Sequence, residues 1–242
     1  MNRLNKFNIH NLFKQKSFYV CTIVLIMFSI LTIVAEVLTT KFLLHKPIVL
    51  NSNDTVINFV SSGQFELYIA IFIALFYTLD VSNGTMKNII ARGFSRKNVF
   101  ISKFITIMIG VTVMFVLSFI LAYIVTFFIG GKIVMLNGDI LSKIGINYLN
   151  LIGIASVYTL ISSIVSKASG ALVACILTNF LAPTVLFALD ALLKLKINFS
   201  ISKYWISNAT NNKGVTVIII CVAYIVISYI LGIIISKRKE IK

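Results

Sequence analysis

Charged residues are scarce in this sequence, and acidic ones most of all: its 242 residues include 22 Lys and Arg but only 7 Asp and Glu. Charged residues make up 12% of the chain, against about 25% in soluble domains. That is too little charge to cover the surface of a water-soluble globule. The composition therefore argues against a soluble enzyme or binding domain.

Cysteine and histidine are too few and too scattered for a disulfide framework or a metal site. Cys21, Cys175 and Cys221 stand in apolar stretches, with no CxxC or His-rich spacing near them. The two histidines, His10 and His45, lie outside those stretches. We therefore predict no metal site and no cofactor bound by this chain.

Motifs for catalysis are missing as well. No phosphate-binding loop of the form Gly-x-x-x-x-Gly-Lys-Ser/Thr occurs, so any ATP hydrolysis must belong to another chain. Glu66, Asp80 and Asp190 stand near the ends of apolar blocks, and no acidic pair suited to acid–base chemistry lies inside one. An ion-coupled carrier also needs a buried carboxylate. We predict a non-enzymatic protein with no catalytic residues.

What the sequence has in abundance is apolar residues, which make up 59% of the chain and give it a mean hydropathy of +0.99. They are gathered into blocks, and about 20 mostly apolar residues cross a bilayer as a helix. The blocks predict an all-α polytopic membrane protein in which residues 18–242 form one domain of six transmembrane helices. The predicted spans are 18–35, 64–79, 104–129, 148–165, 171–190 and 215–235.

Residues 1–17 are basic and partly amphipathic, which predicts an elbow helix on the inner membrane surface; a frayed basic tail is the alternative. With this end inside, 14 of the 22 cations fall in inner segments. The excess follows the positive-inside rule and predicts an N-in, C-in topology, although four cations between residues 194 and 213 oppose it. The high Ile, Asn and Lys content is typical of an AT-rich genome, so we expect a multi-pass protein of a bacterial cell membrane.

The connection between the second and third spans has the strongest pattern. Met86, Ile89 and Ile90 fall on one helical face that Phe94 continues, while cations project elsewhere. This spacing predicts a cytoplasmic amphipathic helix over about residues 83–98. Ser82 or Asn83 is suited to cap its start, and Gly93 to end or bend it.

In this segment the chain resembles the ABC-2 type permeases, the membrane subunits of a large class of exporters. The family pattern is an acid before Gly-Thr, then a hydrophobic residue, a basic residue and Asn, then Gly or Pro before a Ser-Arg, and a Lys at the next span. Here it reads Asp80, Gly84, Thr85, Met86, Lys87, Asn88, Gly93, Ser95, Arg96 and Lys103. The resemblance implies the family's type V exporter fold, with which six spans and two inner ends agree.

The resemblance also implies how the segment works. Residues 84–97 form a coupling helix that docks on a separate ATP-binding subunit, two copies of which bind ATP and Mg and drive two permeases between inward-open and outward-open states. Cations such as Lys87 and Lys97 pair with acids on that subunit, while Ile89, Ile90 and Phe94 fill an apolar groove. The alternative is a helix that rests on lipid headgroups and whose cations merely follow the positive-inside rule.

Two spans carry candidate residues for a translocation path. Phe65, Tyr68, Phe72 and Phe76 form one aromatic stripe on the second span. The family resemblance implies that this span and the fifth, with Asn179 and Pro183 near its middle, face each other between two permease copies. Ordinary packing against a neighbouring helix or lipid is the alternative for each of these residues.

The expected cargo is hydrophobic or amphipathic. In size and overall character the chain resembles permease subunits of the phenol-soluble modulin exporters, which implies export of amphipathic peptides or resistance to antimicrobial ones. Lipids, hydrophobic drugs and lantibiotics stay open, as does the choice between two identical and two related permeases. The rival functions are an ATP-independent channel or carrier and an accessory membrane protein in antimicrobial-peptide immunity.

Overall fold

The computed structural model describes residues 2–39, 64–128, 138–165, 167–193 and 214–238. Within these ranges all regular secondary structure is helical. We number the helices in chain order as α1 (Asn2–Lys14), α2 (Lys16–Leu38), α3 (Gln64–Ser82), α4 (Thr85–Ala91), α5 (Arg96–Phe128), α6 (Gly138–Ile164), α7 (Ala168–Leu193) and α8 (Gly214–Arg238).

Five helices of the described residues are long and apolar enough to cross a membrane. Their candidate spans are Lys16–Ala35, Phe65–Ser82, Arg96–Val125, Leu141–Ile164 and Val217–Arg238. The prediction of a polytopic helical membrane protein is confirmed at this level. The sixth predicted span, 171–190, lies within the 26 residues of α7, of which the fully described part is the apolar segment Ala168–Leu181. The sixth span and the orientation therefore stay predictions.

Two helices begin well before the apolar blocks that predicted them. The third block starts at residue 104, whereas α5 begins at Arg96 and has 33 residues. The fourth block starts at residue 148, whereas α6 begins at Gly138. Apolar residues mark the part of a helix that meets lipid, but backbone hydrogen bonding continues into polar turns beyond it.

Helix α3 lies at the centre of the described bundle, in contact with α2, α4, α5, α6 and α7. Its core-facing side chains are fully buried, including Ile69, Phe72 and Ile73. Helix α8 is peripheral by comparison and exposes apolar side chains such as Ile219 and Ile227. An apolar surface of this kind suits contact with lipid acyl chains. Among the five candidate spans, α3 is the one most enclosed by protein.

Glycines allow the closest helix approaches. The ring of Phe100 on α5 occupies the space that a Cβ on Gly232 of α8 would fill. A Cβ on Gly110 would lie 3.0 Å from Cζ of Phe72 and 3.3 Å from Cδ1 of Leu12. Small residues are favoured at helix interfaces in membranes because they bring backbones together. These two positions fix how α5 sits against α8, α3 and α1.

Candidate functional site

The candidate site is the connection between α3 and α5. Gly84 reverses the chain after α3 with φ +69°, and its N–H donates to the carbonyl of Val81 at 3.2 Å. This left-handed conformation favours glycine because it carries no Cβ. Gly84 is itself the N-cap of α4, so the side-chain cap predicted at Ser82 or Asn83 is wrong. The Ser82 hydroxyl donates instead to the carbonyl of Leu79 at 3.0 Å.

A second glycine ends α4. Gly93 has φ +89°, and its N–H donates to the carbonyl of Ile90 at 2.9 Å. The prediction that Gly93 ends the first part of the helix is confirmed. Ser95 then caps α5, since its Oγ accepts from the Asn98 N–H at 3.3 Å and its carbonyl from the Val99 N–H at 3.1 Å. The predicted helix over about 83–98 is therefore two helices with a break between them.

The apolar face of α4 turns toward its own bundle. Met86 and Ile89 are buried in the core, and Ile90 and Phe94 are partly buried against it. The sequence pattern identified these four side chains as one face but predicted an external groove for three of them. Burial of Ile89 within the chain leaves Ile90 and Phe94 as the partly accessible apolar residues. Thr85 and Gly84 are also partly buried.

The exposed residues of the connection are mostly cationic: Lys87 lies on α4, Arg92 directly after it, and Lys97 in the first turn of α5. Lys87, Arg92 and Lys97 are exposed, Asn88 is exposed beside them, and Arg96 is half-buried. No acidic residue follows in the sequence until Asp139. A cluster of exposed cations without neighbouring acids produces a positive potential that attracts anionic surfaces. The residues that are free to meet a partner here are therefore mainly basic.

The two ends of the connection are joined by a buried ion pair. Lys103 Nζ on α5 lies 2.9 Å from Asp80 Oδ2 on α3, with the Lys103 side chain fully buried and that of Asp80 9% exposed. The same ammonium donates to the carbonyl of Tyr77 at 3.2 Å and lies 4.8 Å from the centre of its ring. A buried charge requires partners of this kind because desolvation costs several kcal/mol per ion. The pair ties the last turns of α3 to the first turns of α5.

Asp80 and Lys103 were both part of the sequence pattern, but their pairing was not predicted. The signal that points to it is chemical: two opposite charges stand at the facing ends of consecutive apolar spans. Each needs a partner if it is removed from water. A short connection between the spans brings the two together. The contact with Tyr77 could not be predicted, because the sequence alone does not show which aromatic residue near a span end lies beside the lysine.

Three of the four aromatic path candidates lie inside the chain. Phe65, Phe72 and Phe76 are at most 1% exposed. Phe65 meets the ring of Phe115 at 6.2 Å between centroids, and Phe72 meets that of Phe18 at 5.6 Å. This placement favours the packing interpretation for these three. Tyr68 is partly buried at the edge of α3, with its ring 5.5 Å from that of the exposed Phe28.

The two other path candidates lie on α7. Asn179 is half-buried, beside the exposed Phe180 and Leu181. Pro183 is within α7, but its side chain lies outside the described residues. Helix α7 contacts α3 in the same chain. The structure thus brings the second and fifth predicted spans together within one molecule.

No protein-family model matches the chain, and no curated protein is significantly similar to it. The likeness to ABC-2 permeases therefore rests on the residues from Asp80 to Lys103 and on the helical membrane architecture. Among the described residues, no group of three or more His, Cys, Asp or Glu side chains is placed to hold a metal ion.

Proposed function

We propose that this chain is the permease subunit of an ATP-binding cassette exporter of the ABC-2 type, with six spans in an N-in, C-in arrangement. It works with a second permease copy or a related permease, and two copies of a separate ATP-binding subunit supply ATP and Mg. The observation that carries the proposal is the cationic connection between α3 and α5, in which the short α4 is bounded by two glycines and the buried pair of Asp80 and Lys103 joins the two flanking helices.

The connection is suited to transmit motion. Helix α4 has 7 residues and is bounded by left-handed glycines, so it is distinct from the helices on either side. Its apolar face is seated on the bundle, and the ion pair joins α3 to α5 just behind it. A displacement of α4 therefore moves the inner ends of α3 and α5 together. Because α3 contacts most of the bundle, and packed cores deform little, that displacement spreads to other helices.

Docking on the ATP-binding subunit is mainly electrostatic in this proposal. Lys87, Arg92 and Lys97 face acidic groups of the subunit, while Ile90 and Phe94 contribute the apolar part that they still expose. Complementary charges of this type raise association rates and fix the register of docking. Salt weakens the interaction because exposed charges are screened over about 8–10 Å.

The proposed cargo is hydrophobic or amphipathic, with bacterial peptides of the phenol-soluble modulin or antimicrobial type first. Passage between two permease copies in a bacterial cell membrane needs a surface that accepts apolar side chains. Helix α7 offers the exposed Phe180 and Leu181 beside the half-buried Asn179. Tyr68 is the one aromatic candidate that is not fully buried, and it lies beside the exposed Phe28 of α2.

The test is to reconstitute the chain with an ATP-binding subunit of the exporter class, and to reverse three charges as Lys87→Glu, Arg92→Glu and Lys97→Glu. The matched control reverses three other exposed cations of predicted inner segments, as Lys167→Glu, Lys237→Glu and Arg238→Glu. We expect the first variant to lose copurification and stimulation of ATP hydrolysis by about tenfold or more, since each pair at such a surface contributes up to about 1 kcal/mol. The control keeps both activities.

Equal behaviour of the two variants would show that α4 is not the docking site. Peptide efflux that proceeds without ATP would favour a channel or carrier. A complex with no efflux of amphipathic peptides or hydrophobic drugs, but with resistance to an antimicrobial peptide in cells, would favour the accessory role.

A further inference from the structure

Helix α1 is divided into two faces, and the inner one is already occupied. Leu4, Asn8 and Leu12 follow one another at intervals of four residues and are all at most 3% exposed. Helix α1 packs on α5, and Leu12 lies against Gly110 of that helix. The Asn8 side-chain amide donates to Ser102 Oγ at 2.8 Å in this buried contact. The apolar face of α1 is thus used within the chain.

The outer face is basic, with two aromatic rings set into it. Its exposed residues recur at intervals of three and four and so share one side of the helix: Arg3, Lys6, Phe7, His10, Phe13 and Lys14. We call these six residues the α1 basic face. Phe7 and Phe13 are 40% and 42% exposed. The sequence contains no acidic residue before Glu36 to neutralise the cations.

This arrangement differs from that of an ordinary surface helix. Such a helix buries its apolar face among acyl chains and keeps its cations in the headgroups. In α1 the apolar face rests on α5, so any contact with a partner must be made by the α1 basic face. A surface of cations around two phenyl rings matches a layer in which phosphates lie directly above hydrocarbon.

The junction with α2 fixes where this face lies. Only Gln15 separates α1 from α2, which carries a candidate span. The Gln15 N–H donates to the carbonyl of Asn11 at 3.0 Å, and the Tyr19 hydroxyl to the carbonyl of Phe13 at 2.7 Å. The rings of Phe13 and Phe18 also meet at 5.8 Å. These contacts hold the α1 basic face beside Lys16, where the candidate span of α2 begins, and the end of a span lies near the lipid headgroups.

We propose that the α1 basic face is a binding surface for anionic lipid headgroups. Arg3, Lys6 and Lys14 bind the headgroup phosphates, and the rings of Phe7 and Phe13 lie at the boundary with the acyl chains. An acidic protein would also complement the cations, but the proximity to a span and the two exposed rings favour lipid. The surface does not depend on coupling to an ATP-binding subunit.

The first test measures lipid selectivity of the purified full chain in vesicles that contain phosphatidylcholine and phosphatidylglycerol. Electron spin resonance of spin-labelled lipids gives the relative association of each with the protein. We expect the wild-type chain to prefer phosphatidylglycerol. The variant Arg3→Gln/Lys6→Gln/Lys14→Gln loses most of that preference, because the association of phosphatidylglycerol with the α1 basic face falls by roughly fivefold for each cation removed. The control Lys167→Gln/Lys237→Gln/Arg238→Gln removes the same charge at other exposed positions and keeps the preference.

The second test locates the contact and needs no charge change. Phe7→Trp or Phe13→Trp is introduced together with Trp205→Phe, which removes the only natural Trp. We expect brominated phosphatidylglycerol to quench the new Trp more strongly than brominated phosphatidylcholine. The proposal is overturned if the wild-type chain shows no anionic preference, if both triple variants lose it equally, or if quenching is the same for both headgroups. Quenching of the new Trp by aqueous iodide and not by either brominated lipid would also overturn the proposal. The α1 basic face would then contact water or an acidic protein.

Discussion

Lys103 lies against Asp80 so closely that the two charges form one neutral unit, with Tyr77 supplying both a carbonyl and a ring to the ammonium. These contacts give the buried Lys103 ammonium the partners that water would otherwise supply. They also make each partner depend on the other, because a buried charge left alone costs more than the pair contributes. The connected ends of α3 and α5 are therefore joined by an interaction that tolerates the loss of both partners better than the loss of one.

The first prediction follows from that dependence. Asp80→Asn or Lys103→Met alone lowers the free energy of unfolding by about 3–5 kcal/mol, because each leaves one charge without its partner. The double variant Asp80→Asn/Lys103→Met loses less than either single change. Thermal unfolding in detergent, followed by the reaction of the three buried cysteines with a thiol dye, measures the difference. Additive losses in the double variant would contradict a coupled pair.

The second prediction concerns the glycines that bound α4. Gly84→Ala and Gly93→Ala each destabilise the chain by about 1–2 kcal/mol, since a Cβ strains the left-handed backbone. Neither Cβ would meet another atom within 4 Å, so the cost is conformational and not steric. Asn, which tolerates this region, costs less at both positions. Gly145→Ala is the control, because Gly145 lies inside α6 in equally open space without a positive φ.

If Gly145→Ala is as damaging as the other two, the backbone explanation fails. For Gly145→Ala, helix propensity instead predicts a higher free energy of unfolding, by up to about 1 kcal/mol, because alanine is favoured over glycine inside a helix. Differential scanning fluorimetry of the five variants separates a backbone effect at Gly84 and Gly93 from a general effect of alanine.

The third prediction concerns the approach of α5 to α8. Gly232→Ala places a Cβ where the ring of Phe100 lies, so we expect a loss of about 1–3 kcal/mol from overpacking. Phe100→Leu, which removes the ring, restores part of that loss in the double variant. Gly153→Ala on α6 is the matched control, because its Cβ would sit 3.7 Å from Cys221, an ordinary contact distance. Rescue measured as the melting temperature in detergent tests the contact directly.

The fourth prediction concerns the anchor of α1. Asn8→Ala and Ser102→Ala each leave one buried group without its hydrogen-bond partner, which costs about 1–3 kcal/mol. The double variant Asn8→Ala/Ser102→Ala loses less free energy of unfolding than the sum of the two single losses, because neither group is then left without a partner. Limited proteolysis in detergent reports detachment of α1, which we expect to be fastest in Asn8→Ala. Proteolysis at the wild-type rate in both single variants would mean that Leu4 and Leu12 alone hold the helix.

The sequence predicts the spanning helices well because lipid imposes one requirement on a long stretch of residues. It also identifies Met86, Ile89, Ile90 and Phe94 as one face of a helix, which is a local property of spacing. It does not say what that face touches. Bundle, lipid and partner protein all accept the same side chains, and the structure buries Ile89 in the bundle.

The contacts that sequence reasoning missed are long-range and polar. In α1 the buried face contains Asn8 between Leu4 and Leu12, so an amide interrupts the apolar pattern and hides the face that packs. The partner of that amide, Ser102, lies 94 residues away along the chain. The aromatic stripe shows the opposite case: Phe65, Phe72 and Phe76 were correctly grouped on one face, yet spacing alone did not distinguish a path lining from a packed core.

One turn of α5 sends side chains to three different helices: Phe100 to Gly232 on α8, Ser102 to Asn8 on α1, and Lys103 to Asp80 on α3. Four segments that are distant in the chain thus share a single point of attachment. Separating any one of them from α5 disturbs the residues that hold the other two. This turn is accordingly the centre of one cooperative unfolding unit, whose amide protons exchange with solvent together and later than those of the exposed ends of α2 and α8.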